Sequence, residues 1–219
     1  MYPDVRMYAN WGSMSVRKRL TRAEKQAETR KALLDSAARV FARVGLQAAT
    51  VEEIAEEAGF SRGAFYSNFE DKDDLFLTLL EKRGEQQMGE IALAFQQGDT
   101  AEERLLNGGR YIDAMVVDKT EWCRLYMEFW AAAVRDRKLK RRFAQQYRMW
   151  RSGIAQMIDA GASDLGVMLD APAEELASAV IALSEGYVLQ KLIDPAALPD
   201  DYFSRTLVRF FRRFGALNR

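Results

Sequence analysis

The chain has 219 residues, and its 32 lysine and arginine residues are matched by 32 aspartate and glutamate residues. Histidine is absent and Cys123 is the single cysteine, which excludes Ser-His-Asp and Cys-His catalysis, the usual zinc sites and an internal disulfide. A hydrophobic content of 48% can fill the cores of a small and a larger helical domain, so we expect a folded chain. We expect it to hold no metal and no cofactor.

The first thirteen residues show no helical periodicity, and we interpret residues 1–20 as a disordered N-terminal arm. From Ser15 to Gly45 the chain carries nine basic and three acidic residues, and the acidic stretch from Glu52 to Asp74 offsets this surplus. The distribution predicts a local basic edge in a chain of zero net charge. The arm ends in three basic residues suited to DNA phosphates or the minor groove, with a solvated tail as the alternative: Arg17, Lys18 and Arg19.

The first helix is predicted from Thr21 to Val44. Thr21 and Glu24 form a capping box at its start, and Gly45 supplies the turn that ends it. Its apolar positions recur at helical spacing and should pack on the next two helices: Leu34, Ala37, Ala38, Phe41 and Val44.

A second, shorter helix is predicted to begin at another capping box, formed by Thr50 and Glu53. Gly59 ends this helix in a tight turn, and we expect Phe60 to fill the angle to the following helix. One face of the short helix is apolar at helical spacing: Val51, Ile54, Ala55 and Ala58.

The third helix, capped by Ser61, combines candidates for burial with side chains suited to a major groove. Phe65 and Phe69 should face inward, and Gly63 would allow a close backbone approach to DNA. Lys72 is unfavourable for the dipole of the next helix, which indicates a phosphate partner. The alternative is an ordinary helical hairpin with a solvated polar face. The complete predicted DNA contact set is Arg17, Lys18, Arg19, Thr50, Ser61, Arg62, Gly63, Ala64, Tyr66, Ser67, Asn68 and Lys72.

The motif T-x-x-x-I-A-x-x-A-G, followed by SRGAFYSNFEDKDDLF, resembles the DNA-binding signature of the TetR family of transcriptional regulators. Tyr66, Phe69 and Lys72 are in register with that signature after Ser61. Ser67 and Asn68 depart from the aromatic or histidine residues that are common there. The resemblance implies a three-helix helix-turn-helix domain, a C-terminal helical domain that binds an effector, and a homodimer.

The rest of the chain is predicted to be helical, which gives an all-α fold of about nine helices. We assign the DNA-binding domain to residues 21–71 and the ligand-binding and dimerisation domain to residues 72–219. A fourth helix should run from Lys72 to about Phe95, and residues 161–172 should form a loop. Further helices are predicted near residues 101–117, 120–134, 137–160, 173–193 and 200–214.

Aromatic side chains in the middle of the chain recur at helical spacing, which by itself is typical of core packing. The family resemblance implies that some of them line a large apolar effector pocket, with a few polar groups that orient the ligand. The candidates are Tyr111, Met115, Trp122, Tyr126, Phe129, Trp130, Trp150 and Tyr187, with Glu128 as a further orienting group.

The last two helices carry more apolar residues than one chain needs, and one recognition helix reads only a few base pairs. Both observations favour a dimer that places two reading heads on two half-sites. The predicted interface residues are Leu176, Val180, Leu183, Leu207, Phe210, Phe211 and Phe214.

The sequence lacks phosphate-binding glycine loops and a convergent acid-base set, so we expect a transcriptional regulator that is not an enzyme. It also lacks an apolar run of about 18 residues and a secretion signal, so we expect the protein in the cytoplasm. We expect a dimeric repressor that a small apolar or amphipathic effector releases from operator DNA. The alternatives are an activator, a DNA-binding protein that needs no effector, and a helical protein-interaction module.

Overall fold

A computed structural model describes residues 21–214, which form nine α-helices without a strand in that range. The predicted N-terminal arm and the side chain of Phe214 lie outside the described residues. The helices are α1 (Arg22–Ala48), α2 (Val51–Glu57), α3 (Arg62–Tyr66), α4 (Lys72–Gln96), α5 (Ala101–Asp118), α6 (Thr120–Arg135), α7 (Arg137–Asp164), α8 (Ala173–Ile193) and α9 (Tyr202–Phe214).

Helices α1, α2 and α3 form a small N-terminal unit, the reading head, on which the first turns of α4 pack. Both predicted capping boxes are present, at Thr21 with Glu24 and at Thr50 with Glu53. The last turn of α1 is separated from the rest by Gly45, whose φ of 81° interrupts the helix where its end was predicted. Local capping rules thus set the bounds of this unit.

Two apolar clusters hold the described residues together. The first joins the reading head to α4, α6 and α7, and includes the fully buried Phe41, Phe76 and Phe129. The second joins α5, α7, α8 and α9. The first cluster contains residues from both sides of the domain boundary that we predict at residue 72, so the head and the larger helical region share one core. That boundary stays a prediction.

Several details of the sequence prediction are corrected by the structure. Helix α7 continues to Asp164, so the loop predicted from residue 161 begins later, before Gly166 with its φ of 64°. Phe60 does not plug the angle between α2 and α3, since 37% of it is exposed. Val44 is equally exposed, whereas Leu33 and Val40, which the helical pattern left out, are completely buried.

By length and composition alone, helix α8 is long and apolar enough to cross a membrane. Of its 18-residue apolar stretch, 28% is buried inside the protein. The helix is not an uninterrupted apolar run, because Glu174, Glu175, Glu185 and Lys191 lie within it. One such helix is weak evidence for a membrane span, because core helices of soluble proteins have the same composition. Glu185 in its middle accepts hydrogen bonds from α6 and α7, which places α8 within the helical region.

Candidate DNA-reading surface and ligand cavity

Helix α3 presents a polar face to solvent because two phenylalanines fix its opposite side. Phe65 is completely buried and Phe69 is 2% exposed, and the two rings contact each other with centroids 5.7 Å apart. The Ser61 hydroxyl accepts the backbone N–H of Ala64 at 3.2 Å and caps the helix. The residues left exposed together on this face are Arg62, Gly63, Tyr66 and Ser67.

The exposed guanidinium of Arg62 already has partners within the head. It forms an ion pair with Glu52 of α2 at 2.8 Å and lies 5.5 Å from the centre of the Tyr66 ring. Both members of the ion pair are exposed, so the pair adds little stability and opens at low cost. A base edge or phosphate would therefore compete with Glu52 for this arginine.

Thr50 and Lys72 lie close together at the start of α2. The Lys72 ammonium donates to the carbonyl oxygens of Gln47 at 3.1 Å and Ala49 at 2.8 Å. These bonds give a second explanation for a lysine in the first turn of α4, because it satisfies free carbonyls at the end of α1. An ammonium has three donors, so one N–H remains for a phosphate.

Asn68 is turned away from the exposed face, which contradicts its predicted place among the base contacts. Its side-chain amide donates to the Ala64 carbonyl at 2.8 Å, and its Oδ1 is buried. Its backbone carbonyl accepts from Arg30 at 2.6 Å. Asn68 therefore closes the end of α3, and Ala64 beside it is half-buried.

Part of the basic edge predicted from the sequence is neutralised within the head. Arg39 and Arg43 both pair with Glu57 of α2, at 2.9 Å and 3.6 Å. Arg30 lies over the Phe69 ring at 4.2 Å and is half-buried. Arg17, Lys18 and Arg19 lie outside the described residues. The cations left for DNA in the described head are accordingly few, with Arg62 and Lys72 the best placed.

A cavity of about 150 Å³ lies between α4, α5, α6, α7 and α8. Four of the predicted pocket residues line it: Met115, Trp122, Tyr126 and Trp150. Apolar side chains form most of its wall, and Arg83 and Glu185 are its charged lining residues within the described chain. It has the apolar lining and sparse polar groups that are typical of ligand sites.

The other predicted pocket residues lie elsewhere. Tyr111 lines a second, neighbouring pocket and donates to Glu90 at 2.5 Å. Phe129 is completely buried in the first apolar cluster, and Tyr187 is buried against α9 in the second. Trp130 is 42% exposed and donates to the Tyr147 hydroxyl at 3.1 Å. The alternative of core packing is thus correct for Phe129 and Tyr187.

Glu128 does not orient a ligand in the cavity. Its carboxylate accepts the backbone N–H of Leu46 at 3.0 Å, in the last turn of α1 beyond Gly45. The same helix α6 carries Trp122 and Tyr126 into the cavity. One helix therefore contacts both the cavity and the reading head.

Glu185 is one of the polar residues of the cavity that the sequence prediction missed. Its Oε1 accepts from the Tyr126 hydroxyl at 3.0 Å and also from the Tyr147 hydroxyl. Burial, followed by the neighbouring Tyr147 and Glu185, raises the pKa of Tyr126 far above its usual range, so this hydroxyl stays protonated and donates. A carboxylate in the middle of an otherwise apolar helix was the sequence signal that could have identified it.

Cys123 also lines the cavity and is 2% exposed. Burial raises the pKa of its thiol from 9.0 to about 11, which keeps it protonated at neutral pH. Cys123 is therefore a buried, protonated thiol in the cavity wall.

The predicted dimer-interface residues divide into two groups. Leu176, Leu207 and Phe211 are buried in the core of their own chain, so they are not available to a partner. Val180, Leu183 and Phe210 are half-buried. The exposed apolar residues of α8 lie instead on one stripe at helical spacing, with the half-buried Gly186 between them: Ala182, Leu189 and Ile193.

Comparisons with known proteins agree with both parts of the fold. The model of the TetR family of bacterial regulatory proteins matches residues 33–79, and that of the C-terminal region of BetI-type transcriptional repressors matches residues 110–215. The AcrR regulator of Shigella flexneri is 44% identical over 78 residues, which is 36% of this chain and 35% of that protein. The BepR repressor of Brucella suis is 48% identical over 62 residues, 28% of this chain and 29% of that protein.

The chain thus spans about a third of the length of these curated relatives. A solved chain from Rhodococcus sp., assigned to TetR-family transcriptional regulators, superposes with a TM-score of 0.70 at 23% identity. The superposition covers 86% of this chain and 98% of that one, which shows a shared fold. The two family models together match more than half of the sequence, from the helix-turn-helix to the last helix, and the chain therefore belongs to the TetR family of transcriptional regulators.

Proposed function

We propose that this protein is a dimeric repressor that binds operator DNA and is released by a small molecule bound in the cavity. The observation that carries the proposal is the α3 face, where Arg62, Tyr66 and Ser67 stand exposed above the buried Phe65 and Phe69. A short helix held by its apolar side and polar on the other has the form of a major-groove reader.

Each exposed group has a role that follows from its chemistry. Arg62 can leave Glu52 and donate two hydrogen bonds to a guanine edge, and Ser67 can contact either a base or a phosphate. Gly63 adds no side chain where the backbone approaches DNA. Lys72 and Thr50, gathered at the start of α2, contact phosphates and set the register of the head on the duplex.

Dimerisation through α8 and α9 would place two heads on successive half-sites, about 34 Å or more apart. The stripe on α8 would be the central contact, with the exposed Ala182 and the half-buried Gly186 as small residues and the exposed Leu189 and Ile193 as large ones. Small residues allow two helices to approach closely, and the large residues bury apolar area. A stripe shared by two copies matches the self-complementary surface that a two-fold dimer requires.

The effector would act through α4 and α6, which both line the cavity and contact the head. It must bind the DNA-incompetent arrangement more tightly, because equal affinity for both arrangements shifts nothing. A hundredfold loss of DNA affinity needs about 2.7 kcal/mol of differential binding. With DNA as its partner, the protein would work in the cytoplasm.

Footprinting on the DNA that flanks its own gene tests the proposal, together with a salt titration of the affinity. Arg62→Ala should weaken binding and relax sequence preference, whereas Lys72→Ala should weaken binding to all sequences and flatten the salt dependence. Lys82→Ala, which removes a charge from an exposed position of α4, is the control. Unchanged affinity in both head variants, or no protected fragment at low salt, would leave the helical interaction module as the better interpretation.

Sedimentation of the protein tests the interface separately. Ile193 and Met168 are both 79% exposed, but only Ile193 lies on the α8 stripe. Ile193→Asp should dissociate the dimer because it would bury an unpaired charge, and Met168→Asp should not. Two dimeric variants, or two monomeric ones, would contradict the assigned surface.

A further inference from the structure

We propose that the cavity is a site for an organic cation, whose charged nitrogen lies at Glu185 and whose apolar body lies against the rings of Tyr126 and Trp150. The inference rests on the proposed function, since it names the chemical class of the effector.

Within the described residues 21–214, Glu185 is a carboxylate without a cationic partner. No lysine or arginine within residues 21–214 lies within 4.0 Å of it, although the cavity wall around it is mainly apolar. Two tyrosine hydroxyls donate to its Oε1, and no hydrogen bond to Oε2 is present in that part of the chain. A half-buried carboxylate retains a strong electrostatic attraction for a cation, because water screens it poorly.

The aromatic residues around Glu185 suit the same ligand. Tyr126 and Trp150 both line the cavity, and their ring centroids are 6.2 Å apart. Electron-rich ring faces attract cations that have shed their water, and quaternary ammonium groups in particular. Trp122 shows this within the chain itself, since the Arg83 guanidinium lies over its ring at 4.4 Å.

The placement of Arg83 argues against an anionic ligand. Arg83 lines both the cavity and the pocket beside it, where the lining also includes Glu90. Its guanidinium is held over the ring of Trp122, which lines both pockets, and an anion in the cavity would still meet the charge of Glu185. The carboxylate of Glu185 would neutralise the charge of a cation bound beside it, and Arg83 would keep its place over Trp122.

The size of the cavity limits the ligand. About 150 Å³ is the volume of an engineered cavity that accepts benzene. Larger apolar groups would enter by displacing Met88, Met115 and Met127, which line the wall and have flexible side chains. A single aromatic ring that carries an ammonium group is a suitable probe.

The test is tryptophan fluorescence of the full chain titrated with three probes: phenyltrimethylammonium, its uncharged isostere tert-butylbenzene, and benzoate. We expect the cation to bind at least about 10-fold more tightly than the isostere, and benzoate to bind most weakly. Equal affinity for cation and isostere, or tightest binding of benzoate, would overturn the proposal. This comparison needs no variant, so it does not depend on the folding of a mutant.

Glu185→Gln should keep an acceptor for the two tyrosines and reduce the preference for the cation below about threefold. Glu174→Gln removes an exposed carboxylate from the same helix and should keep the full preference. A preference that survives in Glu185→Gln would overturn the site. Footprinting keeps the two proposals distinct. If the protein protects DNA but shows no preference among the probes, only the proposed ligand class is wrong. If it prefers the cation but protects no DNA fragment, only the proposed repressor function is wrong.

Discussion

The reading head and the ligand cavity are built in opposite ways. The head is fixed by bonds between near neighbours, such as the reciprocal bonds of Thr50 with Glu53 and the cap from Ser61 to Ala64. The cavity takes its wall from five helices, with lining residues as far apart in the chain as Leu80 and Val188. A surface that must present a few side chains in one geometry thus uses local rules, whereas a ligand space depends on long-range packing.

The two regions are nevertheless tied together by polar contacts as well as by a shared core. Glu128 of α6 accepts the N–H of Leu46, and Arg142 of α7 pairs with Asp74 at the start of α4 at 2.8 Å. Lys138 also pairs with Glu70, just before α4, at 2.7 Å. These contacts therefore connect the helices of the cavity to the head through α6 and α7 as well as through α4.

The largest effect is expected from emptying the centre of the head. Phe65→Ala removes a completely buried ring from beneath the DNA-reading face and should cost about 3–5 kcal/mol of unfolding free energy. Urea denaturation with fluorescence and circular dichroism measures this loss. If the head shares its core with α6 and α7, the whole transition should shift and not only a part of the helical signal.

Phe60→Ala provides the matched control, because Phe60 is 37% exposed and borders the same turn. Its cost should stay below about 1 kcal/mol. Similar losses in the two variants would contradict the burial that fixes the reading face.

The differences in construction explain what the sequence predicted. Caps, the turn at Gly59 and the bounds of most helices follow from patterns within a few residues, and comparison with known proteins supports the fold, the family and its non-enzymatic class. The family resemblance alone places Phe129 and Tyr187 in the pocket, because helical spacing shows which residues are apolar but not which neighbour they face. The partners of Glu128 and Glu185 lie 82 and 59 residues away, a separation that no local pattern encodes.

The reactivity of Cys123 measures how closed the cavity region is. Because its pKa rises to about 11 on burial, the thiolate fraction near pH 8 should be about 100-fold lower than in the unfolded chain. We expect dithiobis-nitrobenzoate to react at least that much faster in urea than in buffer.

The same thiol affects the pH dependence of stability, because it ionises at a lower pH in the unfolded chain than in the folded one. Its contribution to the free energy of unfolding is therefore present below pH 9 and is lost as the pH rises towards 11.

A ligand in the cavity should slow the native reaction further, since Cys123 is part of the wall. Cys123→Ser removes the only thiol and gives the baseline. Equal rates in buffer and in urea would show that the cavity region opens freely.

A smaller effect is expected where the two regions meet. Glu128→Ala leaves the N–H of Leu46 without its carboxylate and should cost about 1–2 kcal/mol, since the side chain is 31% exposed. Hydrogen exchange at the Leu46 amide should accelerate. Glu121→Ala, an exposed carboxylate on the same helix, should change neither quantity. An unchanged exchange rate at Leu46 would mean that α6 does not hold the end of α1.

The smallest effect is expected in α4, the helix that runs from the head to the cavity. Gly89 lies in open space, where an added Cβ meets nothing within 4 Å, so Gly89→Ala should stabilise the protein by about 0.5–1 kcal/mol. At Gly84 an added Cβ would lie 2.7 Å from Nε1 of Trp150 in the cavity wall. Gly84→Ala should therefore displace the Trp150 side chain, and the cost of this displacement should offset the gain in helix propensity. The displacement should also weaken ligand binding, whereas Gly89→Ala should leave ligand binding unchanged. Thermal unfolding and probe titration of both variants measure this contrast, and a Gly84→Ala protein with normal affinity would show that the ring of Trp150 does not shape the cavity.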